Sequence, residues 1–330
     1  MGSTNAVAGP RLSIVTSAHS PTRLKYVGSL LRSIADQRQR GFETIIVVDG
    51  SAEVYKQVKE LISQIRPPNP NVIFSEVRTG ASGSRNLGAR AAKGDIVGFV
   101  DDDVVLPEDW AATVIQLFQD KPALIGISGL ANPLWEDGRD AWLPRSLYWV
   151  ISCTEWFGDA FRETKNMWTM NAAIRRGALL EAGGFDTQLG PKITRDAGYR
   201  SLAEDLELTL RLRGQGHRFY FAPFVKCLHY VQHSQVTFPY IIRRSIWIGK
   251  ERRHLLRIGN LTHEEPRVVR QFFEEFLSGN TCRESPRSNL AGRVKGNLAL
   301  VCSLFAVVMG FLGAGATSKS LRLHVDTTKP

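Results

Sequence analysis

Three aspartates stand in a row at positions 101–103, directly after the apolar run "IVGFV". Adjacent like charges repel, so such a run is either solvated in a turn or built to meet a cation. In extended backbone, side chains at i and i+2 point the same way. Asp101 and Asp103 are therefore expected to share one hard divalent cation, Mg2+ or Mn2+, with Asp102 mattering least for coordination. Such an ion keeps positions open for phosphate oxygens. A second acidic cluster, Glu204 and Asp205, opens the helical stretch "AEDLELTLRLRG". Carboxylates there either complement the helix dipole or include a general base that takes a proton from a hydroxyl. Asp49 closes the apolar run "IIVVD". It starts a turn, or it accepts hydrogen bonds from the base or ribose of a nucleoside.

Other motifs are less specific. "GASGSRNLG" matches neither a phosphate-binding P-loop nor a dinucleotide fingerprint. Its small residues precede a helix with Arg85 in the first turn, which suits an anion or, equally, tight packing of helix on sheet. His229 and His233 lie four apart, the spacing of a helical zinc pair, but no third soft ligand is near. His229 alone is expected to join the hard-cation site or to contact a diphosphate. Trp142, Trp149 and Trp156 recur every seven residues, so a helix would align them on one face; Pro144 limits its continuity.

The elements that must hold these residues are legible from periodicity. "RLSIVTSA", "ETIIVVDG", "NVIFSEV" and "DIVGFVDDD" read as strands, and "LKYVGSLLRSIADQ", "AEVYKQVKELISQI" and "SGSRNLGARAAKG" as the helices between them. This alternation predicts βαβ units and a parallel sheet, with ligands at the strands' carboxyl ends. Asp49 and Asp101–Asp103 both fall at such ends. Towards the C-terminus, "FPYIIRRSIWIGKERRHLLRI" mixes Arg and Lys with large apolar residues at helical spacing, and "VVRQFFEEFL" is amphipathic. Leu298–Ala316 is an uncharged apolar run of nearly bilayer-spanning length, with balanced charge on its two flanks.

The chain has 330 residues, with ordinary hydrophobic (43%) and charged (22%) shares. Its net charge of +10 favours an anionic partner. Nucleic acid is set aside because no recognised module is present. Four scattered cysteines without a C-x-x-C pair indicate neither a zinc knuckle nor a disulfide framework. The first residues contain no apolar signal run.

Taken in order, "LSIVTSAH", "IIVVDGS", "GASGSRNLGARAAKGDIVGFVDDD", "NAAIRRGALLEAGGFD" and "AEDLELTLRLRGQG" resemble the family 2 glycosyltransferases over about residues 11–250. "LHYVQHSQVTFPYIIRRSIWIGK" and the apolar tail resemble the membrane-associated branch that acts on polyprenyl (dolichyl) phosphate carriers. The resemblance implies an α/β GT-A fold, Rossmann-like, with a mostly parallel sheet flanked by helices and a C-terminal helical membrane-associated region. The implied boundaries are a disordered 1–10, a catalytic domain over 11–238, basic amphipathic helices over 239–290, and an apolar transmembrane or membrane-associated segment with its tail over 291–330.

By the same resemblance, Thr16, Ala18, Asp49, Arg85, Asp101 and Asp102 line the nucleotide-sugar site. Asp103, with Asp101 and His229, holds Mg2+ or Mn2+. Asp205 is the base of an inverting displacement beside Glu204, and Trp168, Gly184, Phe185 and Asp186 shape the acceptor side. The opening strand departs from the family's common "PTYN" with "TSAHS". The implied function is inverting transfer from a nucleotide-diphosphate sugar, UDP- ahead of GDP-, to a hydroxyl of a lipid-linked saccharide at a membrane, with the catalytic domain on the cytoplasmic side. A lipid phosphate acceptor, already ionised, needs no base, so a retained base favours the hydroxyl. Alternatives are a phosphate acceptor, a nucleotidyltransferase, and a non-catalytic sugar-binding scaffold.

Overall fold

The computed structural model describes residues 9–136, 142–189, 203–257 and 290–312. The amphipathic stretch at 268–277, the first eight residues and the end of the apolar run beyond Leu312 lie outside them.

Four strands form the first half of the sheet: β1 (Leu12–Ala18), β2 (Glu43–Asp49), β3 (Pro70–Ser75) and β4 (Ile96–Val100). They are parallel, in the order β3-β2-β1-β4. Runs such as Ile45–Val48 are fully buried because helices cover both faces of a parallel sheet. The covering helices are α1 (Leu24–Ala35), α2 (Ala52–Ile65) and α3 (Gly80–Ala91). The small residues of α3 serve close packing. A Cβ on Gly88 would stand 2.3 Å from Val15, so the helix lies directly on β1.

The second half is mixed rather than parallel. It contains β5 (Val104–Val105), β6 (Gly126–Trp135), β7 (Arg162–Thr164), β8 (Asn171–Arg175) and β9 (Phe219–Val231). β8 runs antiparallel to β4 and β6, and β9 runs parallel to β6 but antiparallel to β5 and β7. The expectation of a mostly parallel sheet thus describes only the first half. β8, which follows α4 (Trp110–Asp120) and β6 in the chain, lies between β4 and β6 and opposes both. The rest of the domain is α5 (Arg176–Glu181) and α6 (Glu204–Gly214).

The tryptophan stripe is not a helix face. Arg145–Ile151 and Glu155–Phe157 are short 3-10 turns. Trp142, Trp149 and Trp156 nevertheless pack against one core cluster, and Trp156 also joins Phe157, Trp168 and Phe221 in an edge-to-face aromatic cluster. Two helices complete the structure, α7 (Phe238–Arg257) and α8 (Leu290–Leu312), packed against each other. Among the described residues no helix is long and apolar enough to cross a membrane.

Candidate active site

The strand β4 ends at Val100, and Asp101–Asp103 form a turn before β5. The three carboxylates therefore do not alternate as extended backbone would: Asp101 turns to one arginine, and Asp102 and Asp103 converge on another. Asp101 meets Arg85 at 3.1 Å. Asp102 is buried, and Arg23 grips it with two hydrogen bonds, Nε to Oδ2 at 2.7 Å and a terminal nitrogen to Oδ1 at 2.5 Å. The same arginine reaches Asp103 Oδ2 at 2.7 Å. Burial pushes the Asp102 carboxyl above its ordinary range, and Arg23 pulls the other way.

The other oxygen of Asp103, Oδ1, faces His229 Nε2 at 3.5 Å. His229 is carried on β9, opposite Val104, and the Tyr230 N–H donates to the Asp103 carbonyl. That places His229 on a strand, so the helical histidine pair does not exist; His233 belongs to a following 3-10 turn. The His229 imidazole is buried and its Nδ1 has no partner among the described residues. Among the described residues no three His, Cys, Asp or Glu side chains are grouped so that they alone could hold a metal ion. A carboxylate oxygen beside a buried imidazole suits a hard or borderline divalent cation, which would take its remaining ligands from donor phosphates and water.

Arg85 links the two acidic clusters. It projects from α3, mostly covered, with one terminal nitrogen on Asp101 and the other on Glu204 Oε1 at 2.7 Å. Its guanidinium lies over the Phe185 ring, 5.7 Å from the centroid. Asp205 follows Glu204 at the start of α6. Burial, reinforced by the charge of Glu204, pushes the Asp205 carboxyl up to about 8, while Arg85 opposes the rise. Glu204 is raised for the same first reason, with Arg85 again opposing. A carboxyl so tuned accepts a proton near neutrality, as a general base must. The buried Cys153 and Cys227 are no rivals as nucleophiles, since burial pushes both thiols up.

Asp49 does not stand free at the end of β2. It caps α3, accepting from the N–H and hydroxyl of Thr79 on Oδ1 and from the Gly80 N–H on Oδ2. Thr16 is buried in β1 with its hydroxyl unpartnered among the described residues, and Ala18 packs in the core between β1, β2 and α1. Gly184 has φ +77°, and a Cβ there would strike Asn86, whose side chain bonds both the N–H and the carbonyl of Phe185. Phe185 is consequently core, edge-on to Phe99 beneath Arg85, and supports the site from below. Asp186 is exposed and bonds the Gln188 N–H. Trp168 sits half-buried in the aromatic cluster.

Sequence reasoning passed over Arg23. It ends the 3-10 turn Pro21–Arg23 that follows β1, and it borders a cavity of about 510 Å3 also lined by His19, Lys25, Tyr26, Arg78 and Glu136. The available signal was a basic residue in "SPTRLK", immediately after the carboxyl end of the first strand.

A sequence model described as "Glycosyl transferase family 2" matches residues 13–182, more than half of the chain. A Haloferax volcanii protein called glucosyl-dolichyl phosphate glucuronosyltransferase is 27% identical over 247 residues, 74% of this chain and 76% of its own. Among solved structures, a Pyrobaculum calidifontis mannosyltransferase in complex with GDP-Man and Mn2+ superposes with TM-score 0.58 at 19% identity, covering 94% of this chain and 77% of that one. GalNAc-T7 with UDP, GalNAc and Mn2+ superposes with TM-score 0.51 at 16% identity, covering 82% and 55%. These two likenesses are of fold, and they agree with the mixed α/β GT-A-like architecture.

Proposed function

The chain belongs to glycosyl transferase family 2 and is a glycosyltransferase, and we propose that it transfers a sugar with inversion from a nucleotide-diphosphate sugar to a hydroxyl of a lipid-linked saccharide. The observation that carries this reading is the Arg85 clasp, which joins the acidic turn at 101–103 to Glu204 and so to the neighbouring Asp205. One cluster suits the leaving diphosphate, the other the attacking hydroxyl.

In this reading Asp205 takes the proton from the acceptor hydroxyl as the anomeric carbon is attacked from the face opposite the diphosphate. Its raised affinity for a proton makes it a stronger base than an exposed aspartate. Arg85 holds Glu204 and offsets the charge beside Asp205. Asp103 and His229, with Asp101 near them, would hold Mg2+ or Mn2+, which supplies positive charge to offset that developing on the leaving group. Arg23 and Arg78 face the cavity next to this turn and suit its anionic ligand. Thr16, Ala18 and Asp49 lie on or close the neighbouring strands β1 and β2. Asp49 acts first as a helix cap, and its remaining lone pairs stay available to a nucleoside.

Two features favour a lipid-linked acceptor. The Haloferax volcanii relative is named for a saccharide on dolichyl phosphate. The second feature is α8, which buries small residues, among them Gly296, Ala299, Ser303, Ala306 and Gly310, and exposes Val294, Leu298, Val301, Phe305, Val308 and Leu312. Water favours the reverse arrangement, whereas small residues inside and large apolar ones outside suit lipid. Arg243 is exposed on the adjoining α7 and lies over Tyr240 and Trp247, a combination suited to a headgroup layer. In this reading the chain lies on an anionic bilayer, with its catalytic domain on the cytoplasmic side.

The test is a panel of UDP- and GDP-sugars with Mn2+ or Mg2+, scored by thermal stabilisation and by lipid-extractable product. Stabilisation by a nucleotide sugar only with a divalent cation, together with labelled product, is expected. Stabilisation by none of them contradicts the donor assignment.

A further inference from the structure

The structure meets three carboxylates at 101–103 with two arginines, and the two differ. Arg85 has only 12% of its side chain exposed and is held on both sides, by Asp101 and Glu204. Arg23 has 26% of its side chain exposed and borders the cavity beside the site. One terminal nitrogen of Arg23 sits between Asp102 Oδ1 and Asp103 Oδ2. Asp103 is also the carboxylate whose second oxygen faces His229. A single carboxylate is therefore shared between a guanidinium and the pair of side chains suited to a divalent cation.

A divalent ion arriving at Asp103 meets the unit positive charge of Arg23 across one carboxylate. That repulsion weakens binding of the metal on its own. A diphosphate bound in the cavity brings negative charge to both cations and removes the conflict. We infer that Arg23 is a resident counter-cation of the acidic turn, lowering its affinity for a free divalent ion and making metal and nucleotide diphosphate bind cooperatively. Before either arrives, Arg23 holds Asp102 and Asp103 in place. Once both are bound, its open side serves the diphosphate. The coupling is reciprocal, so the metal tightens nucleotide binding by the factor by which the nucleotide tightens the metal.

The inference rests on Asp103 and His229 as the metal ligands, and the two ideas fail differently. The experiment is Mn2+ binding to the full chain by calorimetry or by electron paramagnetic resonance of free Mn2+, alone and with UDP or GDP. Wild type is expected to bind Mn2+ weakly alone and at least about tenfold more tightly with one nucleotide. Arg23→Gln keeps an N–H donor for Asp102 but loses the charge. It should bind Mn2+ alone about tenfold more tightly than wild type, the scale of one partly screened charge, and lose most of the coupling. Arg23→Lys, which keeps the charge, should stay within about threefold of wild type on both counts. A residue that merely props Asp102 predicts the opposite, equal or weaker Mn2+ binding in Arg23→Gln, and that result overturns the inference. So does a Lys variant that behaves like the Gln variant. Failure of wild type to bind Mn2+ with or without either nucleotide overturns the metal reading as well.

Discussion

At the scale of residues, the proposed mechanism turns on Asp205. Its proton affinity is raised to about 8 by burial and by Glu204, so in the free enzyme the base form grows as pH rises towards that value. The logarithm of kcat/KM should climb with pH and level off near 8, and Asp205→Asn should abolish the slope and cost about 100-fold or more in kcat. The same shift has a stability signature. A carboxyl raised from its unfolded value of about 3.9 binds more protons in the folded state, so stability falls as pH rises from about 4 to about 8. Asp205→Asn cannot titrate, and its melting temperature should therefore gain on wild type across that window; equal curves refute the buried-base account. For the acidic turn, Asp103→Asn should weaken Mn2+ binding more than Asp102→Asn does. Asp102→Asn should instead loosen Arg23 and cost about 1–3 kcal/mol of stability, because it leaves a half-buried guanidinium short of a partner. The chemistry of these acids was legible from residue types and strand ends. The partners of Arg23 and Arg85 were not, since 79 residues separate Arg23 from Asp102 and 119 separate Arg85 from Glu204.

At the scale of elements, the "GGFD" turn and α6 act together. Arg211 on α6 pairs with Glu207 and reaches the carbonyls of Ala182 and Gly184. The turn positions Phe185 under Arg85. Gly184→Ala would force a side chain into a left-handed backbone against Asn86. It should cost about 1–3 kcal/mol and lower turnover by displacing Arg85; unchanged melting and kcat would show that the turn does not position the site. The strands and helices of the first half were readable because buried parallel strands give continuous apolar runs and the helices between them give clean periodicity. The second half was not: short 3-10 turns replace the expected tryptophan helix, and β9 runs on past "RFYFAPFV" to bring His229 to Asp103. On α8 the outward residues predict membrane contact. Phe305→Asp and Val308→Asp, both at exposed positions, should barely change the melting temperature yet sharply reduce flotation with vesicles containing anionic lipid. Flotation equal to wild type removes the lipid role of that face.

At the scale of the whole molecule, a net charge of +10 and an outward apolar helix face both fit the proposed anionic, lipid-bearing partner. Vesicle binding should weaken as salt rises, since the basic share of the attraction is screened. The GT-A-like sheet puts the carboxyl ends of β1, β2 and β4 at one edge, and the second half returns α6 to that edge through Arg85. This closure makes one site of two acidic clusters that lie a hundred residues apart in sequence. The most direct test of that closure is the anomeric configuration of the product. Wild-type protein would be incubated with the stabilising nucleotide sugar, Mn2+ and a lipid-linked saccharide, and the new linkage read by proton NMR coupling. The account predicts transfer to a sugar hydroxyl with inversion, lost on chelating the metal and in Asp205→Asn. A product of retained configuration, or undiminished transfer by Asp205→Asn, would contradict it.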